Sequence, residues 1–313
     1  MKNFADRLLA QMKKMESPIV MGLDPLLSYI PEGILSKYQK ETPEVAAGEA
    51  IYEFNCLLMD SVEGVIPAIK PQLAYYEMYG LSGLRAFSRT VAYAKKKGFL
   101  VIADGKRNDI GSTAEAYAAA FLGETKWSES SSTAVFDADA LTVNAYLGID
   151  GIQPFLDVCR EKGKGIFILV RTSNPSAGDL QDVLLENKRP LYEHMAEKVH
   201  TWGLDLVGES GFSSVGAVVG ATWPQQASTL RKIMPHALVL VPGYGAQGGS
   251  ADSAAKNFDE NGEGAIVNAS RSLMCAYKKR EDLKPMDFQK ATFEEAVRMK
   301  KDLNDGIARM LGK

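Results

Sequence analysis

Short apolar runs alternate with amphipathic stretches along almost the whole chain. Eight runs have the length and β-branched content of strands: residues 19–24, 65–70, 99–104, 140–144, 165–172, 215–222, 237–242 and 265–269. Most are apolar at nearly every position rather than at alternate ones, as expected of parallel strands buried on both faces. The stretches between them carry helical periodicity. Leu84, Phe87, Val91 and Ala94 fall on one helical face, and Gly98 stops that helix. Thr42 and Pro43 read as an N-cap and the first helical residue. Ser112 and Glu115 have capping-box spacing, which predicts a helix just after residue 110. Thr292 and Glu295 repeat the spacing and predict a C-terminal helix running through Val297, Leu303 and Ile307. Eight β/α alternations with short connections predict an α/β fold, a (β/α)8 TIM barrel. A doubly wound open sheet is the alternative topology.

The chain has 313 residues, more than the roughly 250 of a bare barrel. The surplus is expected in residues 28–48, 180–190 and 278–291. No linker rich in Pro, Gly or Ser and no internal repeat divides the chain. The expectation is one barrel domain over residues 1–313, with an N-terminal helix and a C-terminal helical extension. Hydrophobic residues make up 46% and the net charge is −3. That balance suits a soluble protein with a large core and gives no sign of a nucleic-acid partner. No apolar run reaches the roughly 18 residues of a membrane span. The start, Met1 to Leu9, reads as an amphipathic helix without a signal-peptide core. Cys56, Cys159 and Cys275 are scattered and odd in number, as reduced thiols of a cytoplasmic protein would be. Of the three histidines, His194 and His200 are six residues apart, which is not a facing spacing, so no metal site is expected.

The polar groups that interrupt this pattern sit at strand ends. The third run feeds directly into Asp104, Gly105, Lys106, Arg107, Asn108, Asp109 and Ile110. Ligands bind at the carboxyl ends of strands in barrels and in open α/β sheets. The first run ends at Asp24 and the second at Lys70. On a barrel rim, Lys70, Asp104, Lys106 and Asp109 would form an alternating set of cations and anions in which each group stays ionised. A solvated turn is the plainer reading of such charges.

The last two strands suggest a phosphate site. A glycine-rich loop containing Gln247 follows the seventh run, and Ser270 and Arg271 follow the eighth. Barrels hold phosphate at this place with loop amides and a helix N-terminus, and Arg271 adds a bidentate clamp. The same loop is suited to close as a lid. After the fifth run come Arg171, Thr172, Ser173, Asn174 and Pro175. They read either as an Asn-Pro turn or as hydroxyl and backbone groups suited to a polar ring such as a pyrimidine.

Residues 104–110 match the D-x-K-R-x-D-I signature, and by it the chain resembles the orotidine 5′-phosphate decarboxylase family. Gly22 to Asp24, Lys70, Ser173 to Pro175, Gly245 to Gly248 and Ser270–Arg271 fall in the family's order, so the resemblance spans most of the chain. It is to the longer branch, with insertions around a compact barrel. The resemblance implies a cofactor-free enzyme converting orotidine 5′-monophosphate to UMP and CO2 in pyrimidine biosynthesis. It implies Lys106 as the proton donor to C6 and Asp104 against the departing carboxylate. Lys70 would belong to the same network and approach the ribose, which Asp24 would also bind. Asp109 and Thr113 would contact ribose from the other subunit of a homodimer. Ser173 would meet the pyrimidine edge, and Gln247, Ser270 and Arg271 would hold the phosphate. Two rivals share features of this pattern. One is a metal-dependent sugar-phosphate decarboxylase or aldolase with D-x-K-x-x-D spacing, against which Arg107, Ile110 and the Ser173 segment argue. The other is a catalytically silent phosphate-binding barrel, against which the intact charged array argues.

Overall fold

The computed structural model of the chain describes residues 2–245 and 248–313. Eight parallel strands form a barrel in chain order: β1 (Ile19–Leu23), β2 (Ala68–Pro71), β3 (Leu100–Arg107), β4 (Ala140–Val143), β5 (Gly165–Arg171), β6 (Ser213–Val219), β7 (Ala237–Val241) and β8 (Ala265–Ala269). Each falls within or close to a predicted run. β1 pairs with β2 on one side and with β8 on the other, so the sheet closes and the open-sheet alternative is excluded. β3 runs three residues past its predicted end. Its register against β4 shifts between Ala103 and Arg107, just where the polar residues begin.

The helices of ten residues or more are α1 (Phe4–Met15), α2 (Pro43–Val62), α3 (Gly80–Lys96), α4 (Gly111–Phe121), α5 (Gln153–Lys162), α6 (Leu191–Gly203), α7 (Pro224–Ile233) and α8 (Phe288–Met310). α1 determines which end of the barrel is open. The Asn3 side chain caps it by accepting from the Asp6 N–H at 2.8 Å. Its apolar face, Phe4, Ala5, Leu8, Leu9 and Met12, packs on inward residues such as Val20, Ile102, Phe167 and Leu238. Phe4 meets Phe167 edge-on, with centroids 5.8 Å apart. Burying each large side chain there contributes roughly 1.5–3 kcal/mol. This end is plugged, which leaves the carboxyl ends of the strands to form a cavity.

Both predicted capping boxes differ from what forms. α4 begins at Gly111 with extended Ile110 as its N-cap and no side-chain cap bond. Gly111 has φ +53°, and the helix begins two residues too early for Ser112 to cap it. Thr292 lies inside α8, buried, and donates to the Leu273 carbonyl at 3.0 Å. The start of that helix is instead set by a turn in which the Lys284 N–H donates to Asp287 at 3.0 Å. An exposed two-stranded ribbon, Thr125–Ser128 with Ser131–Thr133, was not predicted.

Two of the expected insertions dock on each other. Residues 28–48 form short helical turns leading into α2, and residues 278–291 lead into α8. The Tyr277 hydroxyl donates to the Tyr29 carbonyl at 3.0 Å, and Lys278 donates to the Ser28 carbonyl. Tyr29 is thereby fixed at the mouth of the barrel. Among the described residues, no helix is long and apolar enough to cross a membrane.

Candidate active site

Three adjacent strands build the charged centre. Lys70 on β2 places Nζ 2.5 Å from Asp104 Oδ2, and Lys106 on β3 places Nζ 2.7 Å from Asp104 Oδ1. Thr142 on β4 donates its hydroxyl to the same Oδ1 at 2.8 Å. Lys70 and Asp104 are buried, whereas the Lys106 side chain is 46% exposed and faces the cavity mouth. Burial pushes the Asp104 carboxyl up, but Lys70 and Lys106 outweigh it and hold the group well below the ordinary carboxylate range. Burial likewise pulls the Lys70 ammonium down, and Asp104 followed by Asp24 more than reverses this. Asp104 and Lys70 therefore stay ionised at neutral pH.

Lys106 has φ +46°. This left-handed conformation costs a non-glycine residue on the order of 1–3 kcal/mol and persists only where surroundings impose it. Here the Lys106 N–H donates to Thr142 Oγ1 at 2.9 Å. One hydroxyl thus fixes both the Lys106 backbone and the Asp104 carboxylate. The turn brings the ammonium back over Asp104 and sends the following residues away across the rim.

That turn corrects the expected four-member array. Lys70, Asp104 and Lys106 meet, but Asp109 does not join them. Asp109 Oδ1 accepts from the Ile110 N–H at 2.9 Å. Neither Asp109 nor exposed Thr113 lines the cavity within this chain.

The cavity has a volume of about 730 Å³. Asp24, Ser173, Ser270 and Arg271 line it with the charged centre, as expected from their strand ends. Gln247 lies outside the described residues. Gly22 is required for the Ser270 placement, because a Cβ there would meet Ser270 Oγ at 1.9 Å. Among the described residues, Asp24 Oδ1 and Asn268 Oδ1 are buried at the cavity without a hydrogen-bond partner. Leaving a buried acceptor unpaired costs roughly 1–3 kcal/mol, so these atoms point to a polar ligand. Thr142, Gln72, Tyr29 and Gln181 also line the site and were not singled out from the sequence. Arg171, at 1% exposure, turns away from the cavity. Another cleft, of about 750 Å³, lies outside the barrel between α4, α5 and the ribbon, away from the charged centre.

A model of the "Orotidine 5'-phosphate decarboxylase / HUMPS family" matches residues 18–286. The chain belongs to this family. The orotidine 5′-phosphate decarboxylase of Rhodopirellula baltica is 43% identical over 299 residues, covering 95% of this chain and 96% of that one. That of Caldicellulosiruptor bescii is 41% identical over 310 residues, covering 98% and 100%. Among solved structures, OMP decarboxylase of Leishmania donovani matches with a TM-score of 0.73 at 28% identity, over 97% of this chain and 99% of that one. With relatives of this name at such identity and coverage, the chain is an enzyme of the carboxy-lyase class. Residues 104–110 lie within the matched region. Of these residues, Asp104 and Lys106 are the pair that faces the cavity.

Proposed function

We propose that the chain decarboxylates orotidine 5′-monophosphate to UMP and CO2, without a cofactor, as a cytoplasmic step of pyrimidine biosynthesis. The observation that carries this reading is the Lys70–Asp104–Lys106 centre facing a cavity that Ser270 and Arg271 also line. In the reaction, the bond from C6 to the carboxylate breaks and its electron pair stays on C6. That vinylic carbanion has no adjacent π system to take the charge. A fixed cation aimed at C6 stabilises it with little reorganisation. Lys106 supplies the cation and then the proton, and is reprotonated from water through its exposed side. Asp104, held ionised by its two lysines, sets a like charge beside the substrate carboxylate, a repulsion relieved as CO2 leaves. Lys70 and Asp24 hold the ribose, and Ser173 meets the pyrimidine edge. Ser270, Arg271 and Gln247 take the phosphate. Phosphate binding is remote from C6, so its energy serves positioning and lid closure.

The reading includes a homodimer in which Asp109 and Thr113 complete the neighbouring site. In support, Asp109 lies on a rim with exposed apolar side chains. Ile110, Tyr146, Leu147 and Ile149 are each at least 40% exposed. A Cβ added at Gly151 would lie within 3.5 Å of both Asp109 and Leu147, which puts these segments side by side. Clustered exposed apolar residues mark association surfaces.

The test is the ultraviolet change as orotidine 5′-monophosphate becomes UMP, with and without a metal chelator. Turnover in both conditions is expected. Loss of turnover with chelator would favour the metal-dependent rival, and no turnover in either would refute the reading.

A further inference from the structure

The loop after β5 holds a chain of hydrogen bonds whose direction is fixed at one end. Arg171 is buried with its guanidinium 4.1 Å from the Trp223 ring centroid and 5.2 Å from that of Tyr192. It also pairs with Asp182 at 3.1 Å. Arg171 Nη1 reaches the Gln181 side chain at 3.4 Å, and the Thr172 N–H reaches the same Gln181 atom at 3.0 Å. Both groups only donate. The Gln181 atom they share is therefore its oxygen, and the other end is its NH2.

That NH2 donates to Thr172 Oγ1 at 2.8 Å. The Thr172 hydroxyl passes its own proton to Asn174 Oδ1 at 2.6 Å. So short a contact suits O–H···O rather than N–H···O. The Trp223 indole N–H donates to the Thr172 carbonyl at 2.8 Å and pins the strand end. The Asn174 oxygen is thus occupied from within, and Asn174 lines the cavity. Its NH2 is left to donate to a ligand.

We infer that Arg171 and Gln181 are positioning residues that set the polarity of a relay, and that through it Asn174 selects a pyrimidine carrying a ring carbonyl over one carrying an amino group. The inference rests on the proposed nucleotide substrate and deepens it by assigning a specificity determinant. An amino group would face the Asn174 NH2 donor to donor, with no hydrogen bond between them. A site built to hydrogen-bond one polar group rejects the analogue lacking it far more strongly than an apolar pocket rejects a size change.

The chemistry supplies a variant that reverses the relay. In Gln181→Glu, one carboxylate oxygen still accepts from Arg171 and the Thr172 N–H. The other can only accept, so it takes the Thr172 proton. Thr172 Oγ1 then accepts from Asn174, whose side chain turns and presents its oxygen to the ligand.

The experiment measures calorimetric affinities of UMP, CMP and ribose 5-phosphate for the full chain and for Gln181→Glu and Asn174→Ala, alongside turnover of orotidine 5′-monophosphate. Arg171→Met empties a buried cation site and risks the fold, so these two variants carry the test. The wild type should favour UMP over CMP. Asn174→Ala should cut that preference about tenfold, the worth of one hydrogen bond of about 1.4 kcal/mol. Gln181→Glu should cut it further by improving CMP binding. Ribose 5-phosphate affinity should stay constant in all three proteins. A UMP-to-CMP ratio unchanged in both variants, with turnover of the orotidine nucleotide intact in the wild type, overturns the relay and leaves the proposed function standing. If the wild type neither turns over that nucleotide nor binds UMP, the proposed function fails and the relay's role fails with it.

Discussion

Replacing Asp104 by Asn keeps the size of the side chain and removes its charge. The carboxylate now accepts from two ammonium groups and one hydroxyl. An amide has one oxygen, and its NH2 confronts the second ammonium. Two cations that shared one carboxylate are then left on the order of 5 Å apart, repelling by about 3 kcal/mol at an effective dielectric constant near 20. Lys70 has no exposed path of relief, since its side chain is only 6% accessible. Removing one member of a buried pair costs about 3–5 kcal/mol, and that is the expected loss of unfolding free energy at neutral pH.

The loss should depend on pH in a direction that distinguishes burial from simple contact loss. In the variant, burial and Lys106 both disfavour the Lys70 charge, so its folded pKa drops below the unfolded value of about 10.4. Between those two values the unfolded chain binds more protons. Stability of the variant therefore rises with pH, by up to about 1.4 kcal/mol per unit. In the wild type the Lys70 pKa is raised. Its contribution is present below the unfolded value and lost only as pH rises through the higher folded one. The Asp104 pKa is depressed. Its contribution is present above about pH 4 and lost as pH falls through the folded value. The wild type should be flat over the range in which the variant climbs. Urea denaturation between about pH 6 and pH 9.5, at low and high salt, gives both curves. A loss below about 1 kcal/mol that is independent of pH and removed by salt would mark a solvated surface pair and refute this account of the centre.

Lys106→Ala should abolish turnover while UMP still binds, because the proton donor goes and the phosphate contacts remain; near-normal turnover would remove Lys106 from its role. Arg271→Ala should weaken UMP binding far more than uridine binding, measured by calorimetry, and equal losses on both would count against a phosphate contact. Arg231 is buried and donates to the carbonyls of Met234, Ala237, Asn257 and Gly264 at 2.8–3.0 Å. Arg231→Met should therefore cost about 3–5 kcal/mol of stability by orphaning several acceptors, with KM unchanged in the protein that folds. Asp104→Ala and Asp109→Ala subunits, each nearly inactive alone, should recover activity on mixing. About half the dimers would be mixed and one site in each would be intact, so roughly a quarter of all sites should work. Confirmed subunit exchange with no recovered activity would show that Asp109 does not act in trans.

The barrel was legible because its strands are buried on both faces. Runs such as residues 165–170 have no polar alternation to disguise them, and each is followed by a helical face. Lys70, Asp104 and Lys106 were legible for a related reason: each is charged where an apolar run ends, and barrel geometry brings such ends together. The insertions were placed by length alone, and nothing in residues 28–48 announced that Tyr29 would reach the cavity. The ribbon around Trp127 was missed because Thr125–Ser128 and Ser131–Thr133 are short, polar and exposed, with no buried face to impose a pattern.

What stayed hidden at the site depends on contacts between distant segments or on one backbone angle. Thr142 sits in an otherwise apolar strand, where a threonine is ordinarily explained by β propensity. Its two bonds, to Asp104 and to the Lys106 N–H, exist only once β3 and β4 are side by side. The Arg171 environment needs Tyr192 and Trp223, which lie 21 and 52 residues further on. Most consequential is the left-handed Lys106, a residue with no intrinsic preference for positive φ. Read as a continuous array, residues 104–109 place both carboxylates in one site. Because the chain reverses its twist at Lys106, Asp104 faces inward while Asp109 is carried to the outer rim. The spacing that made the signature recognisable thus conceals two different placements. Asp104 faces the cavity of its own barrel, and Asp109 lies on the rim beside Ile110, outside that cavity.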